Sequence, residues 1–147
     1  MVVVLMGILA AVALPRFVDL QGGARASKVK AIAGSMRTAA AMVRSSALAA
    51  GVSCNAGSAT GAVTVEGLAI DLNYCYPQAV QGSNGIVGAA NINAVTDGLS
   101  LSGGGTSGGS VLTITITGAD TPAQCAVTYQ SPASQQRPVI TEVSTGC

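Results

Sequence analysis

The stretch MVVVLMGILAAVALPRF at residues 1–17 holds no charge until Arg16, which directly follows Pro15. Residues 1–14 form one apolar run. A helix that spans a bilayer needs roughly 20 apolar residues, whereas a run of about 10 to 14 is more often a core helix or the apolar region of a signal peptide. Ala11-Val12-Ala13 matches the small-residue pattern of a signal cleavage site, but no basic region precedes the run. The residues after Pro15 decide between these readings, because the apolar pattern continues at helical spacing instead of breaking into a loop.

Val29, Ile32, Ala33, Met36, Ala40, Val43 and Ala47 recur at three- and four-residue intervals, with Arg25, Lys28, Lys30, Arg37 and Arg44 between them. Residues 1–50 therefore read as one long helix, apolar throughout in 1–15 and amphipathic in 16–50. Gly51 is the expected stop, since glycine adopts the left-handed conformation that ends helices. Pro15 lacks a backbone donor and clashes with the carbonyl four residues earlier, so a kink or loosening is expected between Ala11 and Pro15. Gly7 and the pair Gly22-Gly23 weaken the helix further, at roughly 1 kcal/mol each relative to alanine.

From residue 51 to 147 the composition turns to Gly, Ser, Thr and Asn, and a globular β-rich head is expected. Residues 63–72 hold two strand-like pieces broken at Gly67. Residues 80–98 are turn-rich and define no element. Leu112, Ile114 and Ile116 alternate with Thr113, Thr115 and Thr117, the pattern of a strand with one buried face. Residues 125–130 and 139–143 carry shorter strand patterns. The fold class is α+β: a long N-terminal helix covered at its rear by an antiparallel sheet of three or four strands. The glycine run GGGTSGG, between Ser102 and Ser110, lacks the Lys-Ser/Thr ending of a phosphate-binding loop and reads as a flexible hairpin loop.

Composition excludes much chemistry. There is no histidine, the commonest general base and transition-metal ligand. The six carboxylates are scattered, and Lys28 and Lys30 form no Ser-x-x-Lys pattern with a serine nucleophile. No catalytic residue, cofactor or metal site is expected, and the chain does not read as an enzyme. A net charge of +1 gives no field to attract nucleic acid. The four cysteines, Cys54, Cys75, Cys125 and Cys147, include no C-x-x-C pair and suggest two disulfides formed in an oxidising compartment. Three connectivities exist, and Cys54 with Cys75 plus Cys125 with Cys147 is favoured because both loops stay short and neither involves the helix.

With these features together, the chain resembles the type IV pilin and pseudopilin superfamily. The segment VVVLMGILAAVALPRF at residues 2–17 is similar to the apolar N-terminal segment of mature pilins, which the family also follows with a proline. PRFVDLQGGARASKV, LNYCYPQA and CAVTYQSPASQQRPVITEVSTGC are most similar to the mannose-sensitive haemagglutinin branch. The resemblance implies a structural subunit held in the inner membrane, then stacked by the pilus assembly machinery with identical subunits into an extracellular helical filament, with adhesion or surface attachment as its role. It implies that Val2, Val3, Val4, Leu5, Ile8, Leu9, Ala11, Val12, Leu14 and Phe17 pack the filament core, that Gly7 and Pro15 lie where the helix loosens on assembly, and that Cys125 and Cys147 bracket a surface loop. The family's N-methylated Phe and its Glu at the fifth mature position have no counterpart here. Counting back from Gly7 and Pro15 places about seven further residues before Met1, which restores the roughly 20 needed for a span.

Two other readings share parts of this pattern. A type II secretion pseudopilin has the same helix, but the clustered aspartates of its major member's calcium loop are missing. An exported monomeric binding domain with a residual signal peptide accounts for the cysteines and the apolar start, but not for the continuous helical stripe.

Overall fold

The computed structural model describes the backbone of residues 2–55 and 61–147 and, within the N-terminal helix, the side chains of Met6 and of residues from Leu20 onward. Helix α1 spans Val2–Ala49. At 1.5 Å per residue its 48 residues extend about 72 Å. Its stripe of Val29, Ile32, Ala33, Met36, Ala40, Val43 and Ala47 is buried, and Ala39 joins it. The spacing read from sequence therefore marks the face that meets the rest of the chain.

α1 ends in a Schellman motif. The amide of Val52 donates to the Ala47 carbonyl at 2.9 Å and that of Gly51 to the Leu48 carbonyl at 3.1 Å, with Gly51 at φ +68°. Val52 packs on the cluster containing Ala47, the apolar contact that usually accompanies this cap.

A three-stranded antiparallel sheet comes next, in the order β1 (Ala62–Val65), β2 (Leu68–Asn73), β3 (Tyr76–Pro77). Val65 pairs with Leu68, so Glu66 and Gly67 form a two-residue hairpin loop with φ of +50° and +83°. Positive φ at both positions is the pattern of a type I′ turn, for which Asn-Gly or Asp-Gly is the usual choice. Glutamate in that position costs about 1 kcal/mol. The β2–β3 turn is tight in the same way, with Tyr74 at +50° and Cys75 at +65°, and contains no glycine. There the disulfide to Cys54 and the burial of Cys75 and Tyr76 hold the chain in place.

Residues 80–98, which show no element by pattern, contain one helical turn, α2 (Ile86–Ala89), that buries Ile86 and Val87. A four-stranded antiparallel meander completes the head: β4 (Leu99–Gly103), β5 (Val111–Ile116), β6 (Ala126–Gln130) and β7 (Val139–Val143), with β4 and β7 at its edges. Leu112, Ile114 and Ile116 of β5 are buried as their alternation requires. They meet Val29, Ala33 and Met36 of α1 together with Val127 and Tyr129 of β6. A second cluster joins Val43 and Ala47 to Val63, Ile70 and Leu72 of the smaller sheet.

The glycine run does make the β4–β5 hairpin connection, but it is fixed along its length instead of free. The Gly105 amide donates to the Ala79 carbonyl at 2.8 Å, the Gly109 amide to the Ser131 carbonyl at 3.0 Å, and Asn73 Nδ2 to the Thr106 carbonyl at 2.9 Å. The absence of side chains is what lets the loop lie this close: a Cβ on Gly108 would stand 2.7 Å from the Pro132 carbonyl oxygen.

Candidate assembly surface

The head packs against α1. Described contacts begin at Gly22, where a Cβ would stand 3.8 Å from the Cys147 carbonyl carbon, and continue to Ala47. Each end of this gripped stretch lies next to a disulfide. Cys125–Cys147, with Cα atoms 4.8 Å apart, ties the C-terminal segment to the start of β6, and Arg25 Nη1 donates to the Cys147 carbonyl at 3.0 Å. Cys54–Cys75, with Cα atoms 5.1 Å apart, ties the chain just past the Gly51 cap to the β2–β3 turn. Both are the short-loop pairs, and neither bond involves a residue of α1. The loop closed by Cys125 and Cys147 is thus seated on the helix as well as facing solvent.

Between the two, Lys28 Nζ donates to the Asp97 carbonyl. Arg37 reaches Glu142 of β7 at 3.4 Å. Both groups of that pair are substantially exposed, so it contributes at most about 1 kcal/mol.

Ahead of Gly22 the helix continues through the residues whose sequence is almost wholly apolar. Met6 and Leu20 are each 68% exposed. The side chains of Val2, Val3, Val4, Leu5, Ile8, Leu9, Ala11, Val12, Leu14 and Phe17 lie outside the described residues, as do those around Gly7 and Pro15; the backbone is helical through both positions. Among the described residues, no helix is long and apolar enough to cross a membrane, and no group of three His, Cys, Asp or Glu could hold a metal ion.

One groove stands out on the head. It encloses about 490 Å³ between α1 and the chain entering β7. Arg37, Arg44 and Arg137 line it together with the apolar surfaces of Leu48, Tyr76 and Ile140. The Arg44 guanidinium lies over the Tyr76 ring, 4.7 Å from its centroid. From sequence alone, Arg37 and Arg44 are simply the polar side of an amphipathic helix. Nothing local connects them to Arg137, which β7 brings across the fold.

A second cleft, of about 430 Å³, lies at the opposite edge of the four-stranded sheet, where Leu68 meets Val95 and Leu101 of β4. Neither cleft contains a nucleophile with an activating base. Burial, then the neighbouring Tyr76, pushes the Tyr129 phenol far above its ordinary value. Its hydroxyl donates to the Pro77 carbonyl at 2.7 Å, a link between the two sheets instead of a reactive group.

Comparison with protein-family models, with curated proteins and with solved structures finds no match to this chain.

Proposed function

We propose that this chain is a type IV pilin-like structural subunit that polymerises through its apolar N-terminal helix into an extracellular filament, having been held in the inner membrane beforehand. One observation carries the proposal: a single continuous helix whose rear half packs in a disulfide-bonded head and whose front half is, in sequence, uncharged through residue 14. An apolar sequence of this length calls for a cover, which lipid and then copies of the same helix would supply. Ala10, Ala11 and Ala13 allow helix backbones to approach closely. Heterologous contacts that do not close propagate as a helical polymer. Adhesion or surface attachment is the role that the family resemblance implies, and the work of the subunit is association, not catalysis.

Electron microscopy of the native protein tests this directly. Long fibres with a regular subunit rise are expected, and Val12→Asp or Ala11→Leu abolishes them while the head stays folded and oxidised. A soluble monomer with residues 1–13 removed, detected by intact mass, overturns the proposal in favour of an exported domain. Normal fibres from either variant overturn the assigned core.

A further inference from the structure

The acidic tip of the β1–β2 hairpin and the arginine groove are complementary in charge, and the clefts beside them adjoin opposite edges of the four-stranded sheet. Glu66 is exposed at the hairpin tip and forms no ion pair among the described residues. Apolar groups flank it: Leu68 is exposed, and Val95, in the same cleft, is 90% exposed. The groove presents the converse, three guanidinium groups around apolar walls, with Glu142 engaging only Arg37. Arg44 and Arg137 make no ion pair among the described residues.

Among the described residues no ion pair joins the two within one copy. Leu68 lies with Leu101 of β4, whereas the groove is walled by Ile140 of β7, and β4 and β7 are opposite edges of the sheet. A contact between such unlike surfaces is heterologous, the kind that propagates from copy to copy. The hairpin tip also holds its glutamate in a left-handed conformation that a β-turn has no local reason to assign to that residue. A residue kept where backbone preference opposes it is a reasonable place to look for function.

We propose that the β1–β2 hairpin of one copy docks in the groove of the next, the Glu66 carboxylate meeting Arg137 and Arg44 while Leu68 covers the apolar wall. The occupant is a second copy of this chain, and the proposal rests on the filament reading by naming the contact that joins neighbouring heads. Arginine suits such a place because its planar fork binds a carboxylate through two parallel hydrogen bonds.

The full chain carrying Arg137→Lys, prepared as a mixture of isotopically light and heavy protein, is treated with a zero-length carbodiimide both as native fibres and in detergent. A crosslink of mixed isotope composition, joining Glu66 to the lysine introduced at position 137, is expected. Glu66→Arg and Arg137→Glu should each lower fibre yield at least about tenfold, because like charges across an interface are strongly unfavourable, and the double variant should return to within about threefold of the parent. Intact mass and circular dichroism confirm that each variant remains folded with both disulfides. Arg137→Lys fibres that yield no mixed crosslink, or Glu66→Arg fibres of normal yield, overturn the docking proposal and leave the filament reading intact. If the parent forms no fibres the filament reading fails separately; a mixed crosslink in detergent then still supports the contact, and its absence overturns it. Saturable binding of acetate or inorganic phosphate that depends on Arg137, with fibre yield indifferent to Glu66, also overturns it and identifies a small-anion site.

Discussion

Arg25 of the helix donates a hydrogen bond to the main-chain carbonyl of Cys147, 122 positions later in sequence, at 3.0 Å. The same guanidinium lies 3.9 Å from Asp120, whose side chain is 84% exposed. Of these two contacts the first matters more, because it is partly buried and closes the C-terminal loop onto the helix, while the second is screened by water. Arg25→Met, which keeps the bulk and removes the donor, should lower unfolding stability by about 1–2 kcal/mol. Asp120→Asn should change it by less than about 0.5 kcal/mol. Urea titrations of both variants check the order; equal losses contradict it.

The two disulfides close loops of nearly equal length, with separations of 21 and 22 residues, so chain-entropy arguments give each about 3 kcal/mol. Their local effects differ. Replacing Cys125 and Cys147 by serine should speed amide exchange near Val29, and replacing Cys54 and Cys75 should speed it near Val43 and Ala47. Exchange measured by mass spectrometry separates the two, and a uniform increase along the helix in both variants would show that the clamps do not act locally.

Two glycines should respond in opposite ways to alanine. At Gly34, in the middle of α1, a Cβ meets nothing within 4 Å, so alanine should stabilise by about 1 kcal/mol through helix propensity. At Gly108 the new Cβ meets the Pro132 backbone, and a loss of about 1–3 kcal/mol is expected from overpacking. Thermal unfolding of the pair gives the signs.

The buried Tyr129 phenol makes the head sensitive to alkali. Its proton is held more tightly in the folded chain than in the unfolded one, so its contribution is complete below about pH 10 and declines as pH rises beyond it. Tyr129→Phe should cost about 1–2 kcal/mol at neutral pH by leaving the Pro77 carbonyl without its donor, and should flatten the alkaline decline. Stability measured from pH 7 to 11 tests both halves.

Several elements are legible because one strong pattern governs each. The seven-residue stripe from Val29 to Ala47 has no competing reading, and Leu112-Thr113-Ile114-Thr115-Ile116 alternates without interruption. β4 escapes notice although Leu99-Ser100-Leu101-Ser102 alternates too, since it is short and runs straight into glycines. α2 escapes it because a single turn shows no helical period, and it is stabilised by tertiary burial of Ile86 and Val87. The glycine run reads as free because its tethers to Ala79, Asn73 and Ser131 are all distant in sequence. For the same reason the groove is invisible: Arg137 joins Arg37 and Arg44 only through the docking of β7 beside α1.

The location of the disulfides has a mechanical corollary. A tug along α1 meets covalent reinforcement only at Cys54, beyond the Gly51 cap, because Cys125–Cys147 is joined to the helix by the Arg25 hydrogen bond and not by a covalent link. From Gly22 to Ala47 the shaft is held by apolar packing and by the contacts of Arg25, Lys28 and Arg37, so along that stretch a pull that parts it from the head has no covalent bond to break.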